Sequence, residues 1–211
     1  MLPPTDRREL FALKKGSKMA ELLEVKNLSV SFDTPDGEAE AVRDVSFFVK
    51  KGETLAIVGE SGCGKSVLCR SIMKLLPKTA RIKSGSVLLD GKEITGLTEK
   101  EMQKLRGNSF SMVFQDPMTT LNPAMTVGAQ IAEAVIIHRP EFSREEVRCR
   151  VWELMELVGI DHPKERAAQY PWNFSGGMRQ RSVLAIALAS EPAVLLADEP
   201  TTALDVTIQA Q

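Results

Sequence analysis

Three separated stretches of the sequence carry residues whose types and spacing suit phosphate chemistry. The first, GESGCGKS at 59–66, fits the P-loop pattern G-x-x-x-x-G-K-[ST]. A short apolar run precedes it and a predicted helix follows, so successive backbone N–H groups would face an anion at the start of a helix. Lys65 would reach the β- and γ-phosphates of a nucleotide, and Ser66 would offer its hydroxyl to Mg²⁺. A flexible glycine loop is the alternative, which the strand-then-helix context disfavours.

The second stretch, VLLADEP at 194–200, supplies acidic groups for the same chemistry. Its apolar run ends in Asp198 and Glu199, which would place two carboxylates at the carboxyl edge of a parallel sheet, where ligands bind. Asp198 would hold Mg²⁺, and Glu199 would polarise an attacking water. Gln115 ends another strand-like run and could reach the metal or the water, although a glutamine there is more often a surface residue.

The third stretch, NFSGGMRQRS at 173–182, looks like a second anion-binding helix start, because Ser175 and two glycines precede a predicted helix. Read alone, it could also be an ordinary capped loop. The P-loop already surrounds the phosphates from one side, so a second cradle could act on the same γ-phosphate only from the other side. Two copies packed head to tail would achieve this, each offering residues 175–177 to its partner's nucleotide.

The elements that position these stretches follow an α/β pattern. Alternation at 22–32 and 41–49, joined by a turn at 34–37, predicts an antiparallel hairpin, and the apolar run at 53–59 predicts a buried strand. The remaining predicted elements are a helix at 65–76, a hairpin at 85–94 that turns at Asp90-Gly91, a short helix opened by a capping box at 98–101, strands at 109–115 and 193–198, and a helix after 174.

Between about 124 and 170 the pattern is helical. In SREEVRCRVWELMELVG, Ser143 and Glu146 form a capping box, and Gly159 suits the end of the helix. One face of this helix carries five apolar residues, Val147, Val151, Leu154, Met155 and Val158. The sequence therefore predicts an α/β core with a β-rich N-terminal part and a helical insertion.

The composition limits the classes of protein to consider. The 211 residues are 43% hydrophobic and 26% charged with a net charge of -1, which is typical of a soluble globular chain and gives no broad attraction to nucleic acid or anionic lipid. The odd number of cysteines fits neither a disulfide framework nor a metal cluster, and indicates a reducing cytosol. No apolar run approaches the ~18 residues that span a bilayer. Residues 1–19 have no signal-peptide core and are predicted to be a disordered or non-native extension, with translation starting at Met19 as one hypothesis.

Taken in order, GESGCGKS, FQDP, FSGGMRQR, LLADEP and TALD resemble the motifs of the ATPase subunits of ATP-binding cassette (ABC) transporters, over residues 20–211. The resemblance implies a P-loop NTPase (RecA-like) core, an N-terminal antiparallel β subdomain and an α-helical subdomain at about 116–172. It also implies ATP and Mg²⁺ as cofactors, and a dimer in which the second cradle serves the partner's ATP.

The resemblance assigns a role to each motif residue. Glu199 is the catalytic base, with Lys65 and Gln115 beside it in catalysis, and Asp205 is the D-loop aspartate. The implied magnesium ligands are Ser66, Gln115 and Asp198. The implied nucleotide-binding set is Phe32 (where the adenine-stacking aromatic is expected), Gly59, Glu60, Ser61, Gly62, Cys63, Gly64, Lys65, Ser66 and Val67. The implied signature set, which acts on the partner's nucleotide, is Ser175, Gly176, Gly177 and Met178.

A narrower resemblance lies in FQDPMTTLNPAMTVGAQIAE and YPWNFSGGMRQR, which are similar to the branch that imports oligopeptides, dipeptides and nickel. That branch implies a translocase in which the ATPase pairs with a second, usually different, ABC ATPase subunit. Two membrane permease subunits and, indirectly, an extracytoplasmic substrate-binding protein complete the implied assembly, and no nucleic acid is involved. The chain would be a peripheral subunit at the cytoplasmic face of the cell membrane.

Three features depart from the family's pattern. Phe174 stands where leucine is common and Met178 where glutamine is common, and both look usual for this branch. The family's switch histidine and last sheet strands follow the D-loop, whereas this sequence ends at Gln211 and its histidines, His138 and His162, precede Glu199. The chain thus looks like the first two-thirds of such a subunit, truncated before the last sheet strands. Reduced hydrolysis and exposed strand edges are expected for residues 1–211 taken alone.

Two other functions stay open on the sequence. One is a truncated nucleotide-binding fragment without effective turnover. The other is a soluble ABC ATPase that serves translation or DNA repair, although such proteins usually carry tandem cassettes or long insertions.

Overall fold

The computed structural model describes residues 21–114 and 120–199, together with the backbone of 11–13. Gln115, Asp205 and, apart from that short backbone stretch, the extension 1–19 lie outside the described residues. The chain divides into two compact units, residues 1–103 and 104–211. In chain order the described elements are β1 (Phe11–Leu13), β2 (Glu21–Thr34), β3 (Gly37–Lys50), β4 (Ala56–Val58), α1 (Lys65–Ile72), β5 (Ala80–Leu89), β6 (Lys92–Glu93), α2 (Glu99–Leu105), β7 (Phe110–Val113), α3 (Val127–His138), α4 (Arg144–Leu157), α5 (Pro163–Arg166), a 3-10 turn (Pro171–Asn173), α6 (Gly176–Leu188) and β8 (Val194–Ala197).

The first unit is built on a four-stranded antiparallel sheet with the order β3-β2-β5-β6. The sheet confirms the predicted N-terminal hairpin and the second hairpin, whose turn is Asp90-Gly91. β5 begins at Ala80 rather than at 85, because its first residues pair with the end of β2. The buried core of the first unit includes Leu23, Val25, Leu28, Val30, Val42, Val87 and Leu68.

The strand that leads into the P-loop differs from its prediction. The run at 53–59 was expected to be a buried strand, but the side chain of Val58 is 56% exposed. Among the described strands, β4 pairs antiparallel with β1, a three-residue strand in a segment where no strand was expected. A strand partner covers an edge of β4, whereas the exposure of a side chain depends on what packs over the faces.

Helix α1 ends at Ile72 rather than at 76. Lys74 adopts a left-handed φ of 53°, and the N–H of Leu75 donates to the carbonyl of Arg70 at 2.8 Å, which closes the end of the helix. Pro77 follows shortly and disfavours helical backbone in the residue before it. The chain therefore turns out of the helix before the proline.

The second unit joins a helical bundle to a pair of parallel strands. The predicted capping box of Ser143 and Glu146 is present, and the predicted face of α4 is buried, with Val158 half-buried at its end. Ala185 of α6 and Ala189, which follows the helix, pack into the helical core, while Val183 and Ala187 of α6 pack with Val113 of β7 in a second cluster. One helix thus serves both cores, which ties the helical region to the strands. Within the described residues, no helix is long and apolar enough to cross a membrane.

Candidate functional site

The P-loop lies between β4 and α1, in the predicted strand–loop–helix arrangement. The Lys65 ammonium folds back over the loop, and its Nζ donates to the carbonyl oxygens of Gly59 and Glu60, both at 2.9 Å. The N–H of Cys63 donates to the Glu60 carbonyl at 3.2 Å, and the Cys63 side chain is buried. A positive charge is therefore held in the loop that precedes the N-terminus of α1, and the charge and the helix end both favour an anion.

Gly64, the residue before α1, is required by its surroundings as well as by its backbone. Its φ is +101°, and a Cβ built on it would lie 2.4 Å from the carbonyl oxygen of Ala41 in β3. The P-loop pattern by itself requires a glycine at this position. The structure adds the close approach of a strand backbone, which a single motif does not reveal.

Replacing Gly64 with alanine should therefore unfold or displace the loop. The positive φ costs about 1–2 kcal/mol, and the clash with a backbone atom adds about 1–3 kcal/mol. Thermal unfolding and MgATP titration measure the result. Gly62→Ala is the matched control, because Gly62 also has a positive φ, of +77°, but a Cβ built on it would meet nothing within 4 Å. Equal losses of stability in the two variants would contradict the role of the Ala41 contact.

The acidic pair follows β8, which lies in a parallel pair as predicted; its partner is β7, with Val113 opposite Ala197. The N–H of Asp198 donates to the Val113 carbonyl at 2.9 Å, and the Asp198 side chain is 3% exposed. Glu199 is half-buried and adopts a left-handed φ of 51°. Such backbone strain in a non-glycine residue is concentrated at functional sites. Both carboxylates thus lie just after β8, at the edge of the sheet where the parallel strands β7 and β8 end.

The signature stretch forms the start of α6. Ser175 caps the helix, its Oγ accepting from the N–H of Met178 at 3.3 Å, and its side chain is exposed. The Nε of Arg179 donates to the carbonyls of Pro171 and Phe174 at 2.7 and 3.1 Å, which fastens the preceding turn to the helix. This role of Arg179 was missed, because its partners are backbone atoms that leave no sequence pattern.

The two departures in the signature have a structural reason. Phe174 is buried in the core of the helical region, and Met178 is half-buried against the same core. Both side chains therefore anchor the signature loop from behind. This packing explains the size of the two side chains without any contact with a nucleotide.

Phe32 lies in β2, the strand between β3 and β5. Its cross-strand partners are Ala39 on one side and Ala80 on the other, and its own side chain is half-buried. Both of its direct cross-strand neighbours are therefore small. A ring in this setting suits stacking against a planar group.

A glycine-rich loop between a strand and a helix, with a parallel strand that ends in Asp-Glu, defines the class of P-loop proteins. Residues 42–202 match the family model described as ABC transporter, and the chain belongs to this family. It is 56% identical to the oligopeptide transport ATP-binding protein OppD and 56% identical to the dipeptide transport ATP-binding protein DppD, both of Bacillus subtilis. Each match covers 92% of this chain but only 54% and 58% of those relatives, so the chain spans a little over half of their length.

Solved structures confirm the fold. The chain superposes on the ATP-binding cassette MJ0796, in a dimeric post-hydrolysis state bound to ADP and Pi, with a TM-score of 0.78 and 30% identity. That match covers 89% of this chain and 78% of the other. CbiO1 from Clostridium perfringens, part of the ABC transporter complex cbiONQ, gives a TM-score of 0.74 at 30% identity and covers 90% of this chain and 70% of its own. The predicted P-loop NTPase core with an antiparallel β part and a helical part is therefore correct.

Proposed function

We propose that this chain is the nucleotide-binding part of an ATPase subunit that drives peptide import through an ABC transporter. The observation that carries the proposal is the loop 59–66, where Lys65 holds its charge over the loop before α1. In this proposal the loop amides and Lys65 bind the β- and γ-phosphates. Phe32, between Ala39 and Ala80, stacks on the adenine.

Magnesium fits the donors that the chain offers. Mg²⁺ prefers oxygen ligands and is usually held by one or two carboxylates together with substrate phosphates and water. Ser66 offers a hydroxyl and the buried Asp198 a carboxylate, and we propose Gln115 as a further oxygen ligand. The described residues contain no group of three or more His, Cys, Asp and Glu that could hold a metal without such phosphates. When bound, the ion neutralises charge on the phosphates.

Hydrolysis then needs a base and a second set of donors. Glu199 accepts the proton of the attacking water, and Lys65 stabilises the charge that develops on the γ-phosphate. The exposed start of α6 serves the nucleotide of a second subunit, with the backbone of Ser175, Gly176, Gly177 and Met178 facing it and Asp205 at the same interface. The dimeric form of MJ0796 supports such an arrangement.

The relatives support a proposal for the cargo and the partners. The proteins named above are described as acting in oligopeptide and dipeptide transport, which favours peptides over nickel for this chain. The subunit would work with a second ABC ATPase, two membrane permeases and, indirectly, an extracytoplasmic binding protein. It would lie at the cytoplasmic face of the membrane, with the helical region carrying the contact to the permeases.

Two experiments test the proposal. Calorimetric titration of the folded chain with MgATP should give saturable binding, and no heat from a folded sample would contradict the nucleotide site. Isolation of the native protein from membranes should recover two permease subunits. Recovery of ribosomal or DNA-repair proteins instead would favour a non-transport ABC ATPase.

The role of Ser175 toward a partner's nucleotide can be separated from its role as a helix cap. Ser175→Ala and Ser143→Ala each remove a serine Oγ that accepts from an N–H at 3.3 Å, in α6 and α4. Each should cost about 1 kcal/mol of stability. In the assembled complex, Ser175→Ala should also lower ATP turnover about 10- to 100-fold, whereas Ser143→Ala should leave it near the wild-type rate. Equal turnover in the two variants would show that Ser175 is only a cap.

A further inference from the structure

Four charged side chains form a network across three strands of the first unit. Nη1 of Arg81 in β5 lies 2.9 Å from Oδ1 of Asp33 in β2, and its Nη2 lies 3.4 Å from Oε1 of Glu38 in β3. Nζ of Lys83 lies 3.2 Å from the same Glu38 oxygen. The contact with the Lys83 ammonium is the main reason that the pKa of Glu38 lies below its ordinary value. The Glu38 carboxylate is therefore charged and paired near neutral pH.

The network is built from the immediate neighbours of Phe32 and of its two cross-strand partners. Asp33 follows Phe32, Glu38 precedes Ala39, and Arg81 follows Ala80. Successive side chains of a strand point to opposite faces of the sheet. The charged groups therefore lie on one face, and the side chain of Phe32 lies on the other. The network thus links the three strands to one another at the position of Phe32 along the sheet.

We propose that Arg81 is a positioning residue for base recognition, which holds Phe32 in place by bridging Asp33 and Glu38. The inference rests on the proposed stacking of Phe32 on adenine. Phe32 lies near the tip of the β2–β3 hairpin, two residues before the last pair, Thr34 and Gly37. The Arg81 guanidinium contacts both strands of the hairpin from β5, and so limits the displacement of the hairpin and of the ring relative to β5.

The network should matter more for position than for stability. Its paired side chains are between 36% and 58% exposed, and exposed ion pairs contribute little to unfolding free energy. An effect of Arg81 on nucleotide binding should therefore depend on the base. It should be absent for a ligand that carries phosphates without a base.

The test compares the dissociation constants of MgATP and of magnesium tripolyphosphate for Arg81→Gln. The variant should bind MgATP about three- to tenfold more weakly, as expected when part of the stacking contribution is lost, and should bind tripolyphosphate like the wild type. Arg81→Lys should recover part of the loss, because it keeps one cation. Arg43→Gln is the control, since Arg43 pairs with Glu40 at 3.1 Å on β3 of the same sheet, and it should bind both ligands normally.

Phe32→Ala separates the stacking of Phe32 on adenine from the positioning of Phe32 by Arg81. If Phe32→Ala weakens ATP binding selectively and Arg81→Gln does not, the positioning role is overturned and the stacking stands. An equal loss of both ligands in Arg81→Gln would also overturn it, because the damage would then reach the phosphate loop. If Phe32→Ala changes neither constant, the stacking itself is wrong and the inference falls with it.

Discussion

Glu199→Gln should leave MgATP binding close to normal and lower ATP turnover by about 100- to 10 000-fold, the range that a positioned general base contributes. The substitution keeps the size of the side chain and its place after β8, but an amide cannot accept the proton of the attacking water. Binding persists because the substitution leaves the loop 59–66 and Asp198 unchanged.

The measurement uses the assembled transporter, with ATP hydrolysis and peptide uptake followed together. Both should fall, while an ATP-dependent dimer of the ATPase subunits should persist longer than in the wild type. Glu156→Gln removes an exposed carboxylate from α4 and should change neither rate. Turnover near the wild-type rate in Glu199→Gln would place the base on another residue.

Lys65→Ala should weaken MgATP binding about 10- to 100-fold, because hydrogen bonds to charged groups contribute about 1.5–3 kcal/mol. It removes the ammonium that the loop carbonyls of Gly59 and Glu60 hold in place. Turnover should fall further than binding, since charge on the γ-phosphate increases toward the transition state.

Calorimetry of the purified chain gives the change in affinity, and tripolyphosphate should show a loss similar to that of MgATP. Lys78→Ala is the control, because Lys78 is an exposed lysine outside the loop and its loss changes the net charge by the same amount. If both lysine variants weakened ATP binding equally, the effect would be one of overall charge rather than of a specific contact.

The local features of this protein could be read from the sequence. The P-loop, the capping box of Ser143 and Glu146 and the apolar face of α4 depend on residues within a few positions of one another. Their geometry is set by hydrogen bonds and helix periodicity along one segment. The turn at Asp90-Gly91 is local in the same way. For this reason these elements lie close to where they were predicted.

Predictions that depended on distant neighbours did less well. The prediction of a buried strand at 53–59 was wrong for Val58, because burial depends on which distant residues pack over the faces of β4. The start of β5 was placed late because its first residues have no turn or apolar signal of their own, and are strand by virtue of pairing with β2. The P-loop motif explained the presence of Gly64. It did not reveal the carbonyl oxygen of Ala41, with which a Cβ at this position would clash.

The sequence by itself determined the chemistry of the site: a glycine loop with Lys65, an apolar strand that ends in two acids, and a capped glycine turn at 175–177. Only the tertiary structure decided which side chains meet across strands. Irregular pairing shifts the register of β2 against both β3 and β5, and a shift of one residue would send each side chain to the opposite face. That register brings Asp33, Glu38 and Arg81 together, and no segment of the chain contains the information alone.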